Sequence, residues 1–303
     1  MKKGYILVAS GAACWGAVGT FSTILFQQGL SSLTVANFRI LLTTLMLGLF
    51  LAIFNRQQFR INLKDIPFFA VAGLISVCLF NFTYITAINL TTIVTAVILL
   101  YTAPVFVTII SRFTFQEKIT LQKAIALIFT LLGCFLVVEA YNLSNLKINL
   151  PGLLIGLSAG LTYGLYSIFG KKALASYSSW TTVFYSFAFG TAILSIFGQP
   201  WTKLYLFNDY QTAQFLFLNS LIPTVLAYTL YTAGLKYVES SKASIIATVE
   251  PVVAVILASL IFHETIRLYQ FLGIILVLVS VILIQIPLKK RKKHEEPTDS
   301  VST

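Results

Sequence analysis

The 303-residue chain has little charge and little histidine, and it lacks the clusters that hold metals or disulfides. Charged residues make up 10% of it and hydrophobic ones 57%, whereas a soluble domain carries about 25% charged residues. A soluble core of this length cannot hide so much apolar surface, and a disordered chain carries far less of it. Both classes are therefore excluded, and lipid is the solvent for most of the protein. The three cysteines, Cys14, Cys78 and Cys134, are odd in number, far apart and each set in an apolar run. They offer neither a disulfide framework nor a CxxC site. His263 falls in a connection and His294 in the tail. No metal-ligand cluster, phosphate-cradling loop or cofactor motif occurs, so no cofactor and no bound metal are expected. Gly156-Leu157-Ser158-Ala159-Gly160 reads as GxSxG, but that chemistry needs a strand-to-helix turn and a partnered histidine. Gly152, Gly156, Gly160 and Gly164 instead recur every fourth residue on one helix face, a spacing that lets another helix approach closely.

What the chain has is long apolar runs. They predict spans near residues 5–26, 34–54, 66–88, 93–114, 120–138, 151–170, 180–198, 213–234, 242–262 and 268–287, each close to the roughly 20 residues that a helical crossing needs. The run from Lys2-Lys3 to Phe26 is longer than the apolar region of a signal peptide and is followed by many like it, so it reads as the first span. The connections, such as Asn55 to Asp65, Asn142 to Pro151 and Gln199 to Thr212, are too short for a soluble domain. With an inside N-terminus, every one of the 21 Lys and Arg residues lies on the cytoplasmic side except Lys147, Lys203, Arg267 and the intramembrane Arg39. That bias sets the orientation, with both termini cytoplasmic. It also accounts for the net charge of +11 without a nucleic-acid partner, and Lys289 to Lys293 reads as the basic flank of the last span.

A shift of 147 residues, Pro104 to Pro251, superposes much of the two halves. It lays Ala96, Ile98, Val105, Ile109, Phe115, Glu117, Ile119 and Leu121 on Ala243, Ile245, Val252, Ile256, Phe262, Glu264, Ile266 and Leu268, and Tyr84 on Tyr231. A shift of 148 places Gly16 on Gly164 and Trp15 on Tyr163. The chain therefore divides into residues 1–140 and 141–288, five spans each, followed by a basic and then polar cytoplasmic tail, 289–303, expected to be disordered. Because five is odd, the second half enters the membrane from the opposite side. The fold class expected is an all-α integral membrane protein of ten transmembrane helices in two inverted-topology repeats, the construction of secondary transporters with a site between the halves.

Ionisable residues inside a membrane are costly and mark function by default. Glu250 lies mid-span and directly precedes Pro251, where a helix is expected to bend, as at Pro104. Its carboxyl group suits an amine-bearing substrate or a proton that loads and unloads as access switches; the alternative is a protonated structural group bonded to a neighbouring helix. Arg39 admits two readings, an anchor that snorkels to the outer surface or an inward cation that pairs with a carboxylate. Asn81 and Tyr84 on the third span correspond to Tyr228 and Tyr231 on the eighth, and Trp15, Tyr101 and Tyr163 add further rings. Aromatic walls with a few polar tips suit flat amphipathic organic solutes.

These residues together resemble the EamA-type proteins of the drug/metabolite transporter superfamily over nearly the whole chain. The resemblance rests on Ala13-Cys14-Trp15-Gly16, Phe38-Arg39, Ala103-Pro104-Val105 to Phe115-Gln116-Glu117, Ser241-Lys242-Ala243-Ser244 to Glu250-Pro251-Val252, and Phe262-His263-Glu264. It implies ten helices in two inverted halves around a central cavity, and export or exchange of metabolites such as amino acids, or of drugs, often coupled to protons. Departures are the Tyr163-Gly164 pair where the first half has Trp15-Gly16, and the absence of a second-half counterpart of Arg39. The expected function is thus a plasma-membrane exporter and not an enzyme. Its partners are a small organic solute, the bilayer and protons, and the oligomeric state is left open. A membrane-embedded enzyme acting on a lipid-linked substrate and a non-transporting receptor are the alternatives from other classes.

Overall fold

The computed structural model describes residues 2–286; the basic tail 289–303 lies outside the described residues. Among the described residues all regular structure is helical. The helices are α1 (Lys2–Trp15), α2 (Ala17–Gln27), α3 (Ser32–Phe54), α4 (Ile66–Gly73), α5 (Phe80–Leu90), α6 (Ile93–Leu100), α7 (Ala103–Thr114) and α8 (Leu121–Val137) in the first half. The second half contains α9 (Leu150–Ala173), α10 (Ser179–Gly198), α11 (Tyr210–Ser220), α12 (Ala227–Leu235), α13 (Ser240–Ala247), α14 (Val249–Phe262) and α15 (Leu268–Gln285). Among the described residues, nine helical segments are long and apolar enough to cross a membrane. The other expected span, α8, has 17 residues, about 26 Å at 1.5 Å per residue, a little under the roughly 30 Å hydrocarbon core.

Polar residues start the helices where the sequence supplies them. Side-chain oxygens of Ser31, Thr92, Thr120, Asn149, Ser178 and Asp209 accept from backbone N–H groups in the first turns of α3, α6, α8, α9, α10 and α11. These amides have no helical partner, and the caps supply one.

Several spans expected to be continuous are interrupted. The first breaks at Gly16, between α1 and α2. The third contains a π-helical turn at Leu74–Leu79 and the eighth another at Leu221–Leu226, the same 147-residue shift as Pro104 to Pro251. The fourth and ninth break at Tyr101-Thr102 and at Thr248. The bends expected at Pro104 and Pro251 therefore lie just ahead of each proline. Proline has no N–H to donate, and a helix tolerates it in the first turn, where that group has no partner in any case. Each proline accordingly sits in the first turn of the second half-helix.

Lipid is as apolar as leucine, so helix association here relies on close packing more than on hydrophobic burial. Glycines provide it. A Cβ on Gly11 would stand 2.7 Å from the carbonyl oxygen of Ala227, holding α1 on α12, and Gly133 and Gly273 meet where α8 packs on α15. The ladder on α9 is used as expected: Gly152 meets Thr91, Gly156 and Gly160 meet Leu99, and Gly164 meets Val107. Leu45, Leu49, Phe82, Ile128, Leu132 and Ile282 are exposed on the outside, where lipid solvates them.

Candidate substrate site between the half-helices

The interruption at Thr248 decides the setting of Glu250. The residue is not in the middle of a helix but in the first turn of α14, where the positive end of the helix dipole favours a carboxylate. The phenolic O–H of Tyr163, on α9, donates to Glu250 Oε2 at 3.0 Å. Gly16 presses on the same point, since a Cβ there would lie 2.8 Å from the Glu250 carbonyl oxygen. The break in the first span and the break in the ninth thus touch.

Rings enclose this carboxylate. The Trp15 indole lies 4.7 Å from the Tyr231 ring, 4.9 Å from Tyr228 and 6.0 Å from Tyr163, centroid to centroid. Trp15, Tyr101, Tyr163, Tyr228, Tyr231 and Glu250 border one cavity. Tyr166 and Ser167 border it as well; sequence reasoning missed both, although the glycine ladder beside them marked α9 as a packed helix. Two wall hydroxyls are tied, Tyr231 with Ser167 at 2.6 Å and Tyr166 with Thr232 at 2.8 Å. Trp15 Nε1–H is buried with no partner among the described residues. The cavity is ≈ 20 Å³, room for about one water molecule, whereas organic solutes occupy about 300–1,000 Å³. A solute enters only if the walls part.

Asn81, Tyr84 and Arg39 stand apart from that cavity. Asn81 donates to the Val77 carbonyl, inside the π-helical turn, at 2.7 Å and accepts from Arg39 Nη2 at 3.2 Å. Arg39 therefore turns inward and is half-buried rather than reaching for the surface. Tyr84 stacks on Phe80 at 5.9 Å, and Phe80 contacts Tyr163 at 5.4 Å. The sequence shift paired Asn81 and Tyr84 with Tyr228 and Tyr231, yet only the second pair reaches the ring-lined cavity. No group of three or more His, Cys, Asp or Glu placed to hold a metal occurs among the described residues.

The EamA-like transporter family matches residues 2–139 and again residues 150–286. The chain is 26% identical to the uncharacterized inner membrane transporter YicL of Salmonella typhimurium, over 96% of this chain and 98% of that one. It is 29% identical to an uncharacterized transporter of Archaeoglobus fulgidus, over 69% of this chain and 75% of the other. A crystal structure of a protein 13% identical superposes with a TM-score of 0.80, covering 94% of this chain and 97% of its own, so the two share a fold. With apolar helices of crossing length and this double match, the chain is a multi-pass membrane protein that belongs to the EamA-like transporter family.

Proposed function

We propose that this protein is a secondary active transporter that exports small organic metabolites, amino acids or related compounds, or drugs across the plasma membrane by alternating access, with proton coupling at Glu250. In this reading ten helices form two five-helix halves of opposite topology, α8 is a crossing despite its length, and both termini face the cytoplasm. The observation that carries it is the carboxyl group of Glu250, bonded to Tyr163 inside a ring-lined cavity where a spanning helix is interrupted. Irregular backbone is tolerated at membrane depth where it lines a cavity, and discontinuous helices are where carriers hold solutes. Aromatic faces attract an ammonium group, the carboxylate neutralises it, and Trp15 Nε1 donates to an acceptor on the solute. Interruptions at matched positions, Leu74–Leu79 with Leu221–Leu226 and Tyr101 with Thr248, support two halves that exchange conformations.

Counterflow in proteoliposomes preloaded with mixed amino acids tests the reading, with drug-like amines as a second panel. Labelled solute is expected to accumulate above the level of empty liposomes; absence of uptake across both panels would refute the assignment. Tyr163→Phe is expected to slow exchange about tenfold, because it removes one hydrogen bond to a charged group. An unchanged initial rate of exchange would take Tyr163 out of the site.

A further inference from the structure

Away from the ring-lined cavity, at the lysine-rich end of the bundle, a second carboxylate is buried. Glu117, in the connection after α7, is 8% exposed and accepts from the backbone N–H of Ser240 at 2.7 Å and of Ser241 at 3.1 Å, and from the Ser241 hydroxyl. It therefore caps the first turn of α13, the half-helix that leads to the break at Thr248. Lys123, 2% exposed, stands 3.6 Å from Glu117 and 2.9 Å from Glu239, fastening the same corner. Close by, Lys171 Nζ donates to the carbonyls of Leu235 and Val238 at 2.6 and 2.8 Å, tying α9 to the end of α12.

The 147-residue shift, Pro104 to Pro251, gives each member of this corner a counterpart at the other end. Glu117 corresponds to Glu264, Ser240 and Ser241 to Ile93 and Val94, and Lys123 to Gln270. Glu264, Val94 and Gln270 border one groove of ≈ 590 Å³, and Glu264 is exposed with no hydrogen bond or ion pair among the described residues. One carboxylate is thus seated on its half-helix while its counterpart stands off across a groove.

We infer that Glu117 and Glu264 are reciprocal latches, each closing one end of the carrier by capping the start of a half-helix, α13 or α6, and that the transport cycle exchanges one for the other. The inference rests on the alternating-access reading proposed above. It also assigns a resting state. Glu117 gains a hydroxyl donor and a buried lysine beside the two amides, whereas Val94 and Gln270 offer Glu264 no hydroxyl and no cation, and Arg267, which borders the same groove, is paired with Glu139 at 3.0 Å. Lys171 has Thr23 as its counterpart in the 148-residue shift, Gly16 to Gly164, again without a charge. The latch at the lysine-rich end is the stronger, so the carrier without solute rests with that end shut.

Single cysteines at Ser244, on α13, and at Val97, its counterpart on α6, report the two ends, in a background with Cys14, Cys78 and Cys134 changed to alanine. Labelling by a small charged thiol reagent in detergent follows the open population of each end when opening is fast relative to reaction. Glu117→Ala is expected to speed labelling at the Ser244 position about tenfold, about 1.4 kcal/mol of equilibrium shift, and to slow it at the Val97 position. Glu264→Ala is expected to accelerate neither. If Glu117→Ala does not give monodisperse protein, Ser241→Ala should move both rates in the same directions by a smaller factor. Unchanged labelling in a folded Glu117 variant, or acceleration at both ends together, would overturn the latch, because simple loosening opens both. Wild-type counterflow separates the two proposals: flux without the reciprocal response defeats the latch alone, and a reciprocal response without flux defeats the carrier reading.

Discussion

Glu250→Gln is expected to lower exchange about a hundredfold while the purified protein stays monodisperse. Glutamine keeps the shape and can still accept from Tyr163, which donates to Oε2 at 3.0 Å, so the helix packing survives. What disappears is the negative charge and the capacity to take up a proton. A charge-assisted hydrogen bond contributes about 1.5–3 kcal/mol, and about 2.7 kcal/mol is a hundredfold. The charge is effective here because rings, not water, surround it, and because it sits at the positive end of α14. Two measurements check this, the initial rate of counterflow and its dependence on pH. Full activity with an unchanged pH profile would return Glu250 to a structural role.

Gly160→Leu is expected to abolish recovery of folded protein, a larger effect on stability than any substitution at the ring-lined cavity. A Cβ on Gly160 would meet the Leu99 carbonyl oxygen at 2.7 Å and Thr102 Oγ1 at 2.8 Å. The first neighbour is backbone and cannot swing aside, so α9 must move off α6 and lose the contacts of the whole glycine ladder. Overpacking a well-packed core costs about 1–3 kcal/mol, and for helices held by close approach in lipid the loss is compounded along the interface. Gly19→Ala is the control. A Cβ there meets nothing within 4 Å, and alanine stiffens a helix, so an unchanged or higher melting temperature is expected in detergent. Equal loss in both variants would show that close approach at Gly160 is not what the substitution disturbs.

The positions of the spans were legible from composition and run length, because a membrane-crossing segment must be apolar over its whole length whatever surrounds it. The glycine ladder on α9 was legible for a related reason: a repeat of four residues lies on one face of any helix. Glu250 and Arg39 were also visible as charges in apolar runs. Their partners were not, because Tyr163 lies 87 residues from Glu250 and Asn81 lies 42 from Arg39. The π-helical turns left little trace. Pro223 marks the one at Leu221–Leu226, but Leu74–Leu79 holds no residue that departs from an ordinary helix.

Sequence alone thus determined that this protein lies in the membrane, roughly where each span runs, and that its two halves share a pattern, since solvent and repeat act on residues one segment at a time. Tertiary structure alone decided which polar side chains meet. Trp15, Tyr163, Tyr228, Tyr231 and Glu250 come together because two helices break at matching depth and glycine lets their backbones touch. Asn81 and Tyr84 occupy the corresponding positions of the other half and come to lie elsewhere. A shift along the chain relates positions, but the direction of a side chain is set by the helices packed against it.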